Sequence, residues 1–200
     1  MILEGIVTSV DLHGTLNAAP MGPIVDEAFT QLHLRPFQTS RTYQNLKRHP
    51  WGVFHVVDDV LLLARAAIGA LTEPPEHFAA AKIRGEVLSA ACRWYEFEIE
   101  ECDDSQQRVS MRARVVHSGR LRDFFGFNRA KHAVLEAAIL ATRTHLLPAE
   151  EIVREFERLR MIVQKTSGLR ELEAFQLLEA HVQSERKKLA ADDADPRGSK

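Results

Sequence analysis

The sequence predicts an α+β protein: an antiparallel β-barrel followed by a C-terminal helical bundle. Three observations carry that prediction. Tyr95, Phe97 and Ile99 alternate with charged residues, and Val109, Met111, Ala113 and Val115 do the same across a polar turn at 103–107. Apolar residues at every second position mark half-buried antiparallel strands. After Phe127 the period changes, with Ala130, Ala133, Val134, Ala137, Ala138 and Ala141 following the i, i+3, i+4, i+7 spacing of a helix. Short strands punctuated by turns, rather than strands alternating with helices, favour a barrel over a parallel sheet.

The elements follow in order. Residues 2–10 form a strand candidate, and Asp11-Leu12-His13-Gly14 a hairpin turn with Gly14 available for positive φ. Residues 15–19 return, and Pro20, which has no N–H to donate, places that strand at an edge or bulge. Residues 21–25 and 28–34, joined through Asp26-Glu27, repeat the hairpin pattern. A short helix is predicted over 41–49, closed by Pro50, and a buried strand over 52–57. Asp58 or Asp59 can start a helix that stops at Gly69. In the C-terminal part, Leu135, Ile139, Thr142 and Leu146 add a second stripe to the first helix. Pro148 opens a second helix striped by Ile152, Phe156, Leu159 and Val163. A third carries Leu172, Phe175, Leu178 and Val182 inward. The expected division is a barrel domain over 1–122, a helical domain over 123–189 and a disordered tail over 190–200.

Bulk properties exclude several classes. The net charge is -2 over 200 residues, which argues against nucleic acid or an acidic membrane surface as partner. No apolar run approaches the roughly 20 residues of a membrane helix. The first residues lack a basic segment followed by a long apolar one, so no signal peptide is read. Cys92 and Cys102 form no CxxC pair, so no disulfide framework is expected and a cytoplasmic setting fits. Nine histidines show no HExxH spacing, and His132, Glu136 and His145 are too sparse for a metal centre. There is no GxSxG and no GxGxxG, hence no separate nicotinamide-binding module.

The chemistry concentrates in two segments. Asn17-Ala18-Ala19-Pro20-Met21-Gly22 is a strand end poor in side-chain bulk, whose backbone can lie close to a flat ligand. Arg35-Pro36-Phe37-Gln38-Thr39-Ser40-Arg41-Thr42 is a turn entering a helix, rich in hydroxyls and holding two arginines. Free N–H groups, the positive end of the helix dipole and a guanidinium make such a start a phosphate site. A ring site and a phosphate site together suggest a mononucleotide.

These blocks, followed by Gly52-Val53-Phe54-His55-Val56-Val57-Asp58-Asp59, resemble the flavin-reductase-like FMN-binding split barrel over roughly residues 1–120. Within that superfamily the chain is similar to an uncharacterised prokaryotic branch with a helical C-terminal domain bearing a segment like Phe127-Asn128-Arg129-Ala130. The resemblance implies bound FMN, with Asn17, Ala18, Ala19, Pro20 and Met21 beside the isoalloxazine. It implies Thr39, Ser40, Arg41 and Thr42 around the ribityl phosphate, and Asn45 bracing that loop. Arg35 is a candidate for flavin charge stabilisation. A homodimer is implied, with FMN near the subunit interface. The implied activity is that of a flavin-dependent oxidoreductase on an unknown small substrate, with NAD(P)H as a possible donor. The alternative is a non-catalytic module binding a flavin, a deazaflavin or a pterin.

Other residues carry blander readings beside sharper ones. His55, within an apolar strand, reads as a satisfied core histidine. Phe37 covers a ring edge or fills the core. Asn128, Arg129, His132 and Arg143 read as capping and surface charge; the sharper reading is that Asn128 and Arg129 start the helix facing the barrel and help close the flavin pocket or bind a second, anionic substrate.

Overall fold

Two aspartates set the first two hairpins. Asp11 Oδ1 accepts from the N–H groups of His13 at 2.8 Å and Thr15 at 2.9 Å, and Gly14 takes φ 78° in the same turn. These bonds hold the Asp11 carboxyl below the usual carboxylate range. The turn joins β1 (Gly5–Val10) to β2 (Leu16–Met21) and fixes the register from Val10 opposite Leu16 to Gly5 opposite Met21. Asp26 repeats the device between β3 (Ile24–Val25) and β4 (Gln31–Leu34), accepting from Thr30 and Gln31. Strand pairing in the first hairpin starts at Gly5 rather than at residue 2, since Ile2 instead bridges to Ile24.

Next come α1 (Arg41–Arg48), β5 (Trp51–Val56), α2 (Val60–Ala67), β6 (His77–Ala79), β7 (Glu86–Leu88), β8 (Arg93–Asp103) and β9 (Ser110–Arg120). Seven strands form one antiparallel sheet in the order β2-β1-β5-β8-β9-β4-β3, while β6 and β7 pair separately. At one end of that order β2 is an open edge; at the other, β3 is bridged on its outer side by the N-terminal residues through Ile2 and Ile24, and the curled sheet forms a split barrel. The alternation read from the sequence lines its core. Val7, Leu32, Leu34, Phe54, Tyr95, Phe97, Met111 and Ala113 pack together, with Tyr43 and Leu46 of α1 added at one end. The outer end of α1 is pinned by Tyr43, whose hydroxyl donates to Asp104 at 2.7 Å, and by Lys47 on the same carboxylate. Phe37 neither fills the core nor lies covered; it is half exposed beneath the Arg108 guanidinium, 5.2 Å from its ring centre.

The other face of the sheet encloses His55 and Glu96, both of them partnered. His55 is completely enclosed; its Nδ1 lies 3.0 Å from Ile6 O, and its Nε2 accepts from Leu88 N at 3.0 Å. That acceptor role requires the neutral ring, and burial lowers its pKa to about 4. The residue is thus the core histidine its apolar neighbours suggested. Glu96, also enclosed, accepts from the N–H groups of Ala81 and Lys82 at 2.8 and 2.7 Å and so fixes the β6–β7 connection. Gly119 accommodates the indole of Trp94, which fills the space a side chain would need.

The computed structural model describes residues 1–194, in two units. The barrel unit takes residues 1–59 and 71–125; the helical unit takes 60–70 and the chain from 126. The helical unit contains α2, α3 (Arg129–Ala141), α4 (Ala149–Thr166) and α5 (Leu169–Ala194). Helix α2, reached between two barrel strands, packs on α3 and α5 and is tied to the latter by Arg65 and Glu173 at 2.9 Å. On α4 the buried set is Ile152, Phe156, Leu159 and Val163, as its stripe predicts. The alanine stripe of α3 is buried, whereas its expected second stripe is not: Leu135 and Ile139 are half-buried and Leu146 lies exposed beyond the helix. On α5, Ala174, Phe175, Leu178 and Val182 are buried; Leu172, expected inward, is 36% exposed. Helix continues to Ala194, past the start of the expected tail, and 195–200 lie outside the described residues.

Candidate functional site

The hairpin register places Ser9 of β1 opposite Asn17 of β2. Asn17 Nδ2 lies 3.3 Å from Ser9 Oγ and donates to Thr42 Oγ1 at 3.1 Å. One turn along α1, Asn45 Nδ2 donates to the same Ser9 Oγ at 3.1 Å. Four residues from three elements therefore form one hydrogen-bonded cluster, in which Ser9, Thr42 and Asn45 are all buried. Buried amides and hydroxyls are costly without partners, so the cluster fixes the first turn of α1 against the β1–β2 hairpin. Asn45 anchors the helix to β1 rather than bracing the preceding loop.

The start of α1 is set by Ser40. Its Oγ accepts from Tyr43 N at 3.2 Å, the ordinary N-cap bond, and donates to Phe37 O at 2.7 Å. The cap bond and the Gln44–Ser40 backbone bond serve the N–H groups of Tyr43 and Gln44. Those of Arg41 and Thr42 have no protein partner among the described residues. The Arg41 side chain is exposed, and no carboxylate meets it among the described residues; Thr39 is exposed beside it. An uncommitted guanidinium and two free N–H groups at a helix start are suited to an anion.

Strand β2 is half-buried along its whole length and lies at the sheet edge. Alternation divides its residues between two faces. Asn17, Ala19 and Met21 share the face of Val7 and Ser9, with Met21 packed against the core; Ala18 and Pro20 lie opposite Thr8 and Ile6 on the other face. The run from Asn17 to Met21 thus shares an edge, not a side-chain surface, and can act on a flat ligand through its outward peptide groups. Gly22 is small because Glu4 and Ile2 occupy the adjacent space.

Arg35 is half-buried at the end of β4, and its Nε is enclosed without a hydrogen-bond partner. No bond joins it to the Ser9–Asn17–Thr42–Asn45 cluster. Ser9 is absent from the residues singled out in the sequence, although both asparagine amides converge on it. Little in the sequence marks it: counting outward from a four-residue turn at 11–14 sets Ser9 opposite Leu16, whereas the observed register, shifted by one residue, sets it opposite Asn17.

In the helical unit, Asn128 caps α3 by accepting from Lys131 N at 3.0 Å, and its Nδ2 donates to Thr166 O at 3.1 Å. This satisfies the capping reading. Arg129 and His132 nevertheless line a cavity of about 590 Å³ formed by α3 and α4. No group of three or more His, Cys, Asp or Glu side chains able to hold a metal occurs among the described residues. No described helix is long and apolar enough to cross a membrane.

Comparison with known proteins agrees with this architecture. No curated protein matches. The fold is that of the FMN-bound protein MM1853 from Methanosarcina mazei, 24% identical, with a TM-score of 0.78 over 90% of this chain and 94% of that one. The styrene monooxygenase flavin reductase of Pseudomonas putida S12 is 15% identical, with a TM-score of 0.52 over 60% of this chain and 80% of that one. An FMN-binding protein from Thermus thermophilus with bound p-hydroxybenzaldehyde is 16% identical, with a TM-score of 0.51 over 64% and 77%. Residues 3–122 match the N-terminal domain, and 128–180 the second domain, of a family described as protein of unknown function (DUF447), and the chain belongs to that family.

Proposed function

We propose that this protein binds FMN without a covalent link, along the outer edge of β2 and the start of α1, and works as a flavin-dependent oxidoreductase on a small molecule. One observation carries the reading: the Asn17–Thr42 hydrogen bond at 3.1 Å, which joins the ring-side strand to the phosphate-side turn within one unit. Its support outside the chain is the fold shared with the FMN-bound family member and with flavin reductases.

The groups present fit that ligand in kind. Arg41, with the free N–H groups of Arg41 and Thr42, offers the phosphate a charge-assisted site. Peptide groups on the open edge of β2 match the donors and acceptors of a flavin pyrimidine ring. The partnerless Arg35 Nε is an enclosed cation suited to negative charge. When bound, FMN supplies the two-electron redox chemistry. The chain's own task is to hold, orient and electrostatically favour the ring. Residues on open strand β2 also suit assembly as a homodimer, with NAD(P)H approaching an exposed face of the ligand.

Heating the purified protein and weighing the released ligand by mass spectrometry tests the cofactor: FMN supports the reading, while a deazaflavin, a pterin or no ligand even after reconstitution opposes it. Oxidation of NAD(P)H by the FMN-loaded protein with an added acceptor tests the activity. A flavin that no donor reduces would leave a binding protein without this reaction.

A further inference from the structure

We propose that the helical unit holds a second small-molecule site, for a planar aromatic carboxylate, in the cavity formed by α3 and α4. The inference concerns the helical unit alone and does not rest on the flavin reading.

This cavity, about 590 Å³, is open to solvent and large enough to seat a small ligand against its base. Its interior and rim differ in character. Leu159 is 2% exposed and, with Ile162, supplies an apolar base from α4. Helix α3 contributes Arg129, His132 and Glu136, which fall on one face at i, i+3 and i+7. The rise of a helix separates Arg129 from Glu136 by about 10 Å, so the cation and the carboxylate mark opposite ends of the cavity.

Charge pairing selects the sign of the ligand. Arg158, also on the rim, is held by Glu155 at 3.0 Å, whereas Arg129 has no carboxylate partner among the described residues. Arg129 also stands in the first turn of α3, where the helix dipole favours an anion. A carboxylate can accept two parallel bonds from a guanidinium, so that end fits a carboxylic acid. The shape of the remainder follows from Phe127. Its side chain borders the cavity at 96% exposure, with the His132 ring 6.0 Å away and tilted by 57°. A large ring so exposed beside a second ring offers stacking and edge contacts to a flat apolar guest. Glu136, at the far end, accepts a hydrogen bond from a hydroxyl or amine substituent and disfavours a second acidic group.

Titration calorimetry on the full-length protein, with and without added FMN, tests this using 2-naphthoate, its neutral amide 2-naphthamide, and acetate. The acid is expected to bind about tenfold or more tightly than either the amide or acetate, since it alone combines the charge-assisted contact with the ring. Arg129→Gln, at an exposed position that should leave the circular dichroism spectrum unchanged, is expected to weaken the acid by about tenfold or more and the amide hardly at all. Methyl NMR signals of Leu159 and Ile162 should shift on adding the acid, and added FMN should not displace it. Equal binding of acid and amide, an unaffected Arg129→Gln protein, displacement by FMN, or no binding at millimolar acid would each overturn the proposal.

Discussion

The β2–α1 cluster of the barrel and the α3–α4 cavity of the helical unit both collect polar side chains, but they commit them differently. In the barrel, Ser9, Asn17, Thr42 and Asn45 turn towards one another and are largely buried. On the cavity rim, Arg129 has no carboxylate partner among the described residues and Phe127 is almost fully exposed. Groups that satisfy each other shape a backbone; groups that do not are left for a visitor. The difference teaches that the side chains fixing a site and those contacting its ligand need not be the same. In the barrel, the buried cluster positions Arg41 and the edge of β2, which remain uncommitted.

If that contrast is right, removing a committed polar group damages the fold, and removing an uncommitted one damages only binding. The largest effect is expected at His55. Its folded pKa, about 4, lies below the ordinary 6.5, so the unfolded chain takes up the proton first as pH falls. Stability is therefore complete above about pH 6.5, declines by on the order of 3 kcal/mol between there and about pH 4, and levels off below. Urea denaturation at steps across that window should follow this course, and His55→Gln should flatten it. Next is Arg41→Ala, with FMN affinity falling ~10–150-fold, or about 1.5–3 kcal/mol, and an unchanged melting temperature. An unaltered dissociation constant would remove Arg41 from the phosphate site.

Ser9→Ala should cost about 1–3 kcal/mol of unfolding free energy, because it takes the shared acceptor from two amides. It should weaken FMN only indirectly, by loosening α1. The smallest effect is Arg129→Gln on stability, where thermal melting should not move. A marked drop there would mean that Arg129 is committed after all, and the comparison would fail.

Much of this was legible in the sequence. The turn aspartates, the alternation in β8 and β9 and the stripe of α4 each name a local partner set, so periodicity sufficed. The Asn17 and Thr42 blocks are each legible in the sequence, but their hydrogen bond depends on how α1 packs against the β1–β2 hairpin, which no local pattern gives. Ser9 is not legible in this way, because a single hydroxyl in an apolar strand carries no chemistry until its neighbours are known. Strands β6 and β7, three residues each, are too short for a period. Helix α2 was read as a helix, but its apolar face cannot say which core will receive it. Leu172 has the right spacing for α5's stripe yet stays exposed, because spacing gives a direction and not the presence of a neighbour.

That last point matters most for α2. The chain leaves the barrel after Asp59, contributes one helix to the other unit and comes back at Leu71. Shortening the gene after residue 125 would therefore not yield a clean barrel. It would leave Val60, Leu61, Leu63 and Ala64 without the helices that cover them, as a greasy loop inviting aggregation. The reciprocal fragment, beginning at residue 126, would lack one of its four walls. Neither unit can therefore be obtained whole by a single cut of the chain.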